Sequence, residues 1–201
     1  GCGTGRIGSI LRQDGLHVVG IDIDEECIEI AQELGIEAHL SDIRTFQLGC
    51  TFDRIIAPYN VLYSLLDDES VAECFNRVAQ HLHKEGEFWF DGYCTEALHQ
   101  AEASDDAFIE TVEFVATVEF QKKTYDVIES GSWNRNSQFV HAQYRHIPRD
   151  QSAVITTEIP QRYLRTSQAR ELLEGSGLEI SKMYGGFNRG SFLPESEFFI
   201  A

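Results

Sequence analysis

The 201-residue chain is poor in basic residues: 16 lysines and arginines stand against 33 aspartates and glutamates, a formal net charge of −17. Neutralising phosphates with Lys and Arg is the main sequence-independent source of nucleic-acid affinity, so this balance argues against a DNA or RNA partner. It suits a soluble cytoplasmic protein and would favour a cationic ligand. No run approaches the roughly 18 apolar residues of a membrane span, and no segment resembles a signal peptide, so no membrane partner is expected. The five cysteines, Cys2, Cys27, Cys50, Cys74 and Cys94, form no CxxC pair and have no histidines at zinc spacing. They read as reduced, mostly buried thiols. No His, Asp and Glu set has metal-ligand spacing either, so a metal-free reaction is expected. There is no repeat or low-complexity tract. The chain also lacks an initiating methionine and starts inside a motif, without the strand that should feed its first turn. The natural N-terminus, with any targeting signal it carries, is expected to lie upstream.

What is present begins at once, with GCGTGRIG over residues 1–8. Gly1, Gly3 and Gly5 leave a turn that can adopt unusual φ/ψ values and lie close against a ligand. Ile7, Ile10 and Leu11 then repeat at helical spacing, which sets a helix N-terminus beside the bound molecule and favours a carboxylate or phosphate there. The glycines fit two templates, GxGxG at 1, 3 and 5 and the dinucleotide fingerprint GxGxxG at 3, 5 and 8. Asp22 ends the next strand, near the offset of about 20 residues expected of a ribose-binding carboxylate.

Periodicity predicts alternating strands and helices through the first ninety residues, hence a mostly parallel, Rossmann-like α/β sheet. Strands are expected at 17–23, 37–40, 52–58 and 87–93. Asp24 should cap a helix whose Cys27, Ile28, Ala31 and Leu34 form one stripe, with Gly35 as its stop. A second helix is expected at 68–82, on the spacing of Val71, Ala72, Phe75, Val78, Ala79 and Leu82. Beyond residue 107 the pattern changes to period two in runs 108–120, 124–133, 138–147 and 152–160, an inserted antiparallel β-subdomain. Its aromatic residues Phe108, Phe114, Phe120, Tyr125, Trp133, Phe139 and Tyr144 read as a two-layer core. A last helix at 167–174 and two terminal strands, 178–184 and 196–201, complete the sheet with a final antiparallel hairpin. The organisation is thus a single domain with a nucleotide-binding part at 1–107, a lid insert at 108–160 and a closing segment at 161–201.

GCGTGRIG, VVGIDIDEECIEIA, LSDI, FDRIIAPYNVLYSL and HLHKEGEFWFD, in this order, resemble the successive motifs of the class I S-adenosylmethionine-dependent methyltransferases. The likeness is to small-molecule members with an antiparallel insert before the last helix. It implies S-adenosylmethionine as cofactor, S-adenosylhomocysteine as product and a small-molecule methyl acceptor. It places Gly1, Gly3 and Gly5 under the methionine part of the cofactor and Asp22 on the two ribose hydroxyls, which an acceptor-only carboxylate suits. Ile23 would lie on the adenine ring, Asp42 would accept from its exocyclic amine, and the Ile43 amide would address a ring nitrogen. Ala57, Pro58, Tyr59 and Asn60 would sit beside the transferable methyl. APYN departs from the Asn/Asp-Pro-Pro-Tyr/Phe signature of many nucleic-acid or glutamine-modifying relatives, which disfavours a base-flipping enzyme. The acid that the family carries two residues before the first glycine is absent from this chain.

Candidates on the acceptor side are Tyr59, Asn60 and Tyr63 after the fourth strand, and Tyr163 and Arg165 before the last helix. His141 and His146, in the insert expected to roof the pocket, are candidate general bases. His17, His39, His81, His83 and His99 read as ordinary surface or boundary residues. Two rival readings stand beside methyl transfer. One is an NAD(P)-dependent oxidoreductase using the second glycine template; the other is a non-catalytic subunit that keeps the fold.

Overall fold

The computed structural model describes residues 1–100, 108–150 and 152–201. The side chain of Phe108, one of the aromatics expected to fill the insert, lies outside the described residues, as does the last stretch of the expected 1–107 part.

The glycine turn leads into helix α1 (Arg6–Gln13), with Gly5 at φ +78° as the residue that starts it. A Cβ there would stand 3.1–3.2 Å from Ala31 and Ile36, so the site demands glycine for its backbone and for close approach. Strand β1 (Val19–Asp22) follows, then helix α2 (Glu25–Glu33) and strand β2 (Glu37–Leu40), which pairs with β1 in parallel. Asp24 caps α2 as its sequence position predicts, accepting from the Cys27 amide at 3.0 Å. Ile28, Ala31, Ile36 and Ala38 make a small core beneath this unit.

Strand β3 (Phe52–Ala57) pairs in parallel with β4 (Leu82–Tyr93), and α3 (Asp68–His81) packs between them in sequence. β4 starts at Leu82, directly where α3 ends, and not at residue 87. Its first turn joins β3 through an irregular register between Phe52 and Arg54. Strand β9 (Phe198–Ile200) closes this sheet antiparallel to β4, with Asp91 opposite Ile200.

Two expectations about the sheet are corrected. Among the described residues the parallel ladder is not continuous: β1-β2 and β3-β4-β9 are separate sheets. Only Gly1 and Cys2 lie alongside β1, both donating to the Ile21 carbonyl at 2.7 and 2.8 Å. The segment 178–184 is not a strand, because Tyr184 alone exchanges hydrogen bonds with Ile200 before Gly185 and Gly186 turn the chain.

The insert is a four-stranded antiparallel meander of β5 (Phe108–Phe120), β6 (Lys123–Asn134), β7 (Phe139–Pro148) and β8 (Ile155–Arg162). Tyr125, Val127, Val140 and Ala142 are buried and Trp133 packs on the main core, whereas Phe114, Phe120 and Phe139, expected inside, are exposed. Between β4 and β5 lies the short helix α4 (Glu96–Gln100), and helix α5 (Thr166–Gly175) follows β8. The insert is joined to the rest by part-buried polar links. The Gln138 and Gln168 amides bond reciprocally at 2.6 and 2.9 Å, and Arg162 reaches Asp68 at 2.8 Å. The main core therefore runs through both parts, with Tyr63, Phe75, Phe90, Val140, Tyr163, Leu164 and Phe199 in one cluster. Only Cys74 of the five thiols is fully buried, and all five are free. Among the described residues no helix is long and apolar enough to cross a membrane.

Candidate functional site

β1 ends on Asp22 at the level of the glycine turn, and the carboxylate holds that turn directly. Gly3 N–H donates to one carboxylate oxygen at 2.7 Å and Asp24 N–H to the other at 3.1 Å. A carboxylate offers about four lone-pair sites, so roughly two remain for a ligand with paired donors. Gly3 itself has φ +52° and nothing within 4 Å of where a Cβ would stand, which leaves open space over bare backbone. Ile23, next in sequence, is 72% exposed. An apolar side chain held in water beside a free acceptor suits a flat ligand carrying a diol.

Asp42 is brought to the same place, since Ser41 N–H bonds the Asp22 carbonyl at 2.8 Å. Its carboxylate already has a partner. Arg44 Nε and Nη2 reach it at 3.0 and 2.6 Å and the Arg44 amide at 2.8 Å. The Arg44 side chain, chiefly, holds the Asp42 carboxyl below its ordinary range. An incoming amine would share this acceptor with Arg44 or displace it. Ile43 is half-buried and packs against the main core.

β3 delivers Ala57 in register with Phe90, and the chain then turns sharply. Tyr59 and Asn60 both have left-handed backbone, φ 60° and 53°. Such a conformation costs a non-glycine residue roughly 1–2 kcal/mol. Asp91 in β4 supplies the compensation: its carboxylate accepts from Tyr59 N–H at 2.8 Å and Asn60 N–H at 3.3 Å. Hydrogen bonds to a charged group contribute roughly 1.5–3 kcal/mol each. Asp91 is only 5% exposed, and burial raises its carboxyl above the ordinary range although the two amides pull it down. Tyr59 projects outward, 67% exposed, with the Arg6 guanidinium 4.9 Å from its ring centre. Asn60 Oδ1 is buried with no hydrogen-bond partner. Asp91 was not among the sequence-derived candidates. Its signal was present, a single acid at the end of the apolar run Phe88-Trp89-Phe90.

The acceptor-side candidates separate. Tyr63 belongs to the core: it is 1% exposed, its hydroxyl donates to the Tyr93 carbonyl at 2.8 Å, and a Cβ on Gly92 would collide with it. Tyr163 is equally buried, with its hydroxyl 2.8 Å from His99 Nε2. Burial pushes the Tyr163 hydroxyl up, so it stays a phenol. Burial, then Arg165 and Arg135, hold His99 below its ordinary value, so the ring is neutral near pH 7. His99, read from sequence as a boundary residue, is thus a part-buried neutral imidazole held on Tyr163. Arg165 starts α5 and lies 3.7 Å from Glu96, whose carboxylate takes the Thr166 amide and hydroxyl at 2.9 and 2.7 Å.

Strand alternation divides the two insert histidines. His146 shares a face with Val140, Ala142 and Tyr144, and its Nδ1 is buried without a partner. His141 points to the other face, half-exposed and 3.5 Å from Glu158. On the inner face Tyr144 is pushed up to about 12 by burial and by its hydrogen bond to Glu129.

Comparison with known proteins agrees with this geometry. Residues 1–86 match a family model described as a methyltransferase domain. A putative methyltransferase of Geobacillus sp. (strain WCH70) is 32% identical over 102 residues, 47% of this chain and 41% of that protein. The chain thus matches less than half the length of that curated relative. The CcbJ methyltransferase from Streptomyces caelestis superposes with a TM-score of 0.82 at 20% identity, over 100% of this chain and 79% of that one. S-adenosylmethionine-bound CalS10, an amino pentose methyltransferase from Micromonospora echinaspora, gives 0.73 at 17% identity over 100% and 79%. The sugar N-methyltransferase KedS8 from Streptoalloteichus sp. ATCC 53650 gives 0.73 at 17% over 99% and 76%. At these identities the likeness to solved structures is one of fold.

Proposed function

We propose that the chain is an S-adenosylmethionine-dependent methyltransferase that moves a methyl group from S-adenosylmethionine to a small-molecule acceptor; the match of residues 1–86 to a methyltransferase-domain model and the likeness of fold to methyltransferases support this reading. The observation that carries the reading is Asp22, which anchors the glycine turn through Gly3 and keeps acceptor capacity for a vicinal diol. Exposed Ile23 gives the adenine an apolar seat, and Asp42 with the Ile43 amide lies at its edge. Gly1, Gly3 and Gly5 underlie the amino-acid end, and Ala57 with the Tyr59–Asn60 turn faces the reacting carbon.

The bound cofactor supplies an already activated methyl on a sulfonium. What this chain adds is alignment and exclusion of water. Well-oriented groups reach effective molarities on the order of 10⁵ M or more, so positioning alone lowers the barrier substantially. An acceptor arriving as a hydroxyl or a protonated amine must also lose a proton, and a base near its working pH contributes on the order of 10²-fold or more. Neutral His99, hydrogen-bonded to Tyr163, is the candidate for that role. The acidic character of the chain supports a cationic acceptor, and two of the fold relatives act on amino or other sugars by their names.

Titration calorimetry with S-adenosylhomocysteine and, separately, NADH tests the cofactor. S-adenosylhomocysteine should bind in preference; preferential NADH binding would return the reading to an oxidoreductase. A radiolabelled methyl-transfer screen over amines, amino sugars, hydroxy acids and phenols then tests the acceptor, and amines should label most.

A further inference from the structure

Among the buried ionisable groups outside the glycine turn, one has no packing reason to be charged. Asp91 sits in β4 between Phe90 and Gly92, opposite Ile200, with Phe90 and Phe199 beside it in the main core. An apolar residue would be the ordinary occupant of such a position. Its two oxygens accept from consecutive amides of a single turn, Tyr59 and Asn60, both in left-handed backbone. The side chain that this turn presents, Asn60, ends in a buried acceptor with no partner.

We propose that Asp91 is a positioning residue for cofactor binding: it locks the Tyr59–Asn60 turn so that Asn60 Oδ1 is offered to the α-ammonium group of S-adenosylmethionine. This rests on the cofactor reading above and assigns the turn a cause. An unpartnered acceptor buried in protein is disfavoured unless something donates to it, and a positively charged group is the strongest such donor. A left-handed pair of non-glycine residues persists only where the surroundings hold it, and such pairs gather at binding sites. Here the holder is one carboxylate. Burial already raises Asp91 above its ordinary range, so its ionised form costs folding stability at neutral pH. A group retained at that cost is one whose neutral replacement should harm binding before it harms the fold.

The test uses the whole chain and two measurements. Amide hydrogen exchange, with no ligand added, should show Tyr59 and Asn60 protected in the parent and fast in Asp91→Asn. Calorimetry with S-adenosylhomocysteine should show affinity about tenfold weaker in Asp91→Asn, the size of one lost charge-assisted bond. The unfolding temperature of that variant should fall only slightly, since burial of the charge already offsets part of what its two hydrogen bonds contribute. Adding Tyr59→Gly to it should recover part of the affinity, since glycine takes positive φ without help. Unprotected Tyr59 and Asn60 amides in the parent would overturn the proposal whatever the cofactor. So would parent-like affinity in Asp91→Asn, or a fall in affinity that tracks a fall in unfolding temperature and is not relieved by glycine. A parent that binds no S-adenosylhomocysteine while those amides are protected would instead strike at the cofactor reading, and remove the binding role of Asp91 with it.

Discussion

The cofactor half and the insert half of the molecule carry polar groups of the same kinds, yet they are organised on different length scales. In the first, Asp22 bonds Gly3 and Asp24, and Asp42 bonds Arg44, so partners lie between two and nineteen residues apart. Around the second, α4 meets the chain entering α5 across the whole length of the insert: His99 bonds Tyr163 over 64 residues and Glu96 bonds Thr166 over 70. The surroundings of Asp22 and Asp42 are thus set by local chain geometry, whereas the contacts of α4 form only when the segments that flank the meander come together. The two halves are also not independent. Val140 and Tyr163 share one apolar cluster with Phe75 and Phe90, so the insert is part of the core.

The strongest way to break that comparison is Phe75→Ala. Phe75 is wholly buried where the halves meet, and removing such a ring costs roughly 3–5 kcal/mol. Scanning calorimetry should still show one cooperative transition, at lower temperature; two separate transitions would mean that the halves fold apart. His99→Gln sharpens the functional side. With an acceptor found by the labelling screen, it should lower transfer on the order of 10²-fold while leaving S-adenosylhomocysteine affinity unchanged. Because His99 is held below its ordinary value, the parent rate should fall as acid protonates the ring, with a midpoint below about 6.5. That acid limb should vanish in His99→Gln. A limb that persists would assign the base elsewhere.

Gln138→Ala strips the amide that bonds both Gln168 and the Tyr163 carbonyl, and takes from that buried residue's carbonyl its side-chain donor. Chemical denaturation should show a loss of about 1–3 kcal/mol, again without change in cofactor affinity. The smallest effect belongs to His141→Ala, on the outer face beside Glu158. Stability, affinity and transfer should all stay near parent values; a large loss of transfer would reverse the assignment of faces in β7.

The same contrast explains what the sequence made legible. The glycine turn, the Asp24 cap, the four runs of the insert and Asp22 were readable because each depends on neighbours within a turn or a strand of chain. Tyr63 and Tyr163 stood in the right segments, but only tertiary packing decides that one hydroxyl is spent on the Tyr93 carbonyl and the other on His99. His141 and His146 differ by five residues, hence by one face of a strand, and alternation alone could have separated them. The segment 178–184 has the composition of a strand, yet only Tyr184 of it joins the edge of β9. Asp91 was hidden for the opposite reason: it lies in a strand where an acid is out of place, and its purpose appears only when the turn after β3 folds over it.

The account stands or falls on Asp22. Calorimetric titration of the parent and of Asp22→Ala with S-adenosylhomocysteine should give clear binding in the parent and about 100-fold weaker binding in the variant, the loss of two hydrogen bonds to a charged acceptor. Equal affinity in the two proteins, or no binding in the parent, would contradict it.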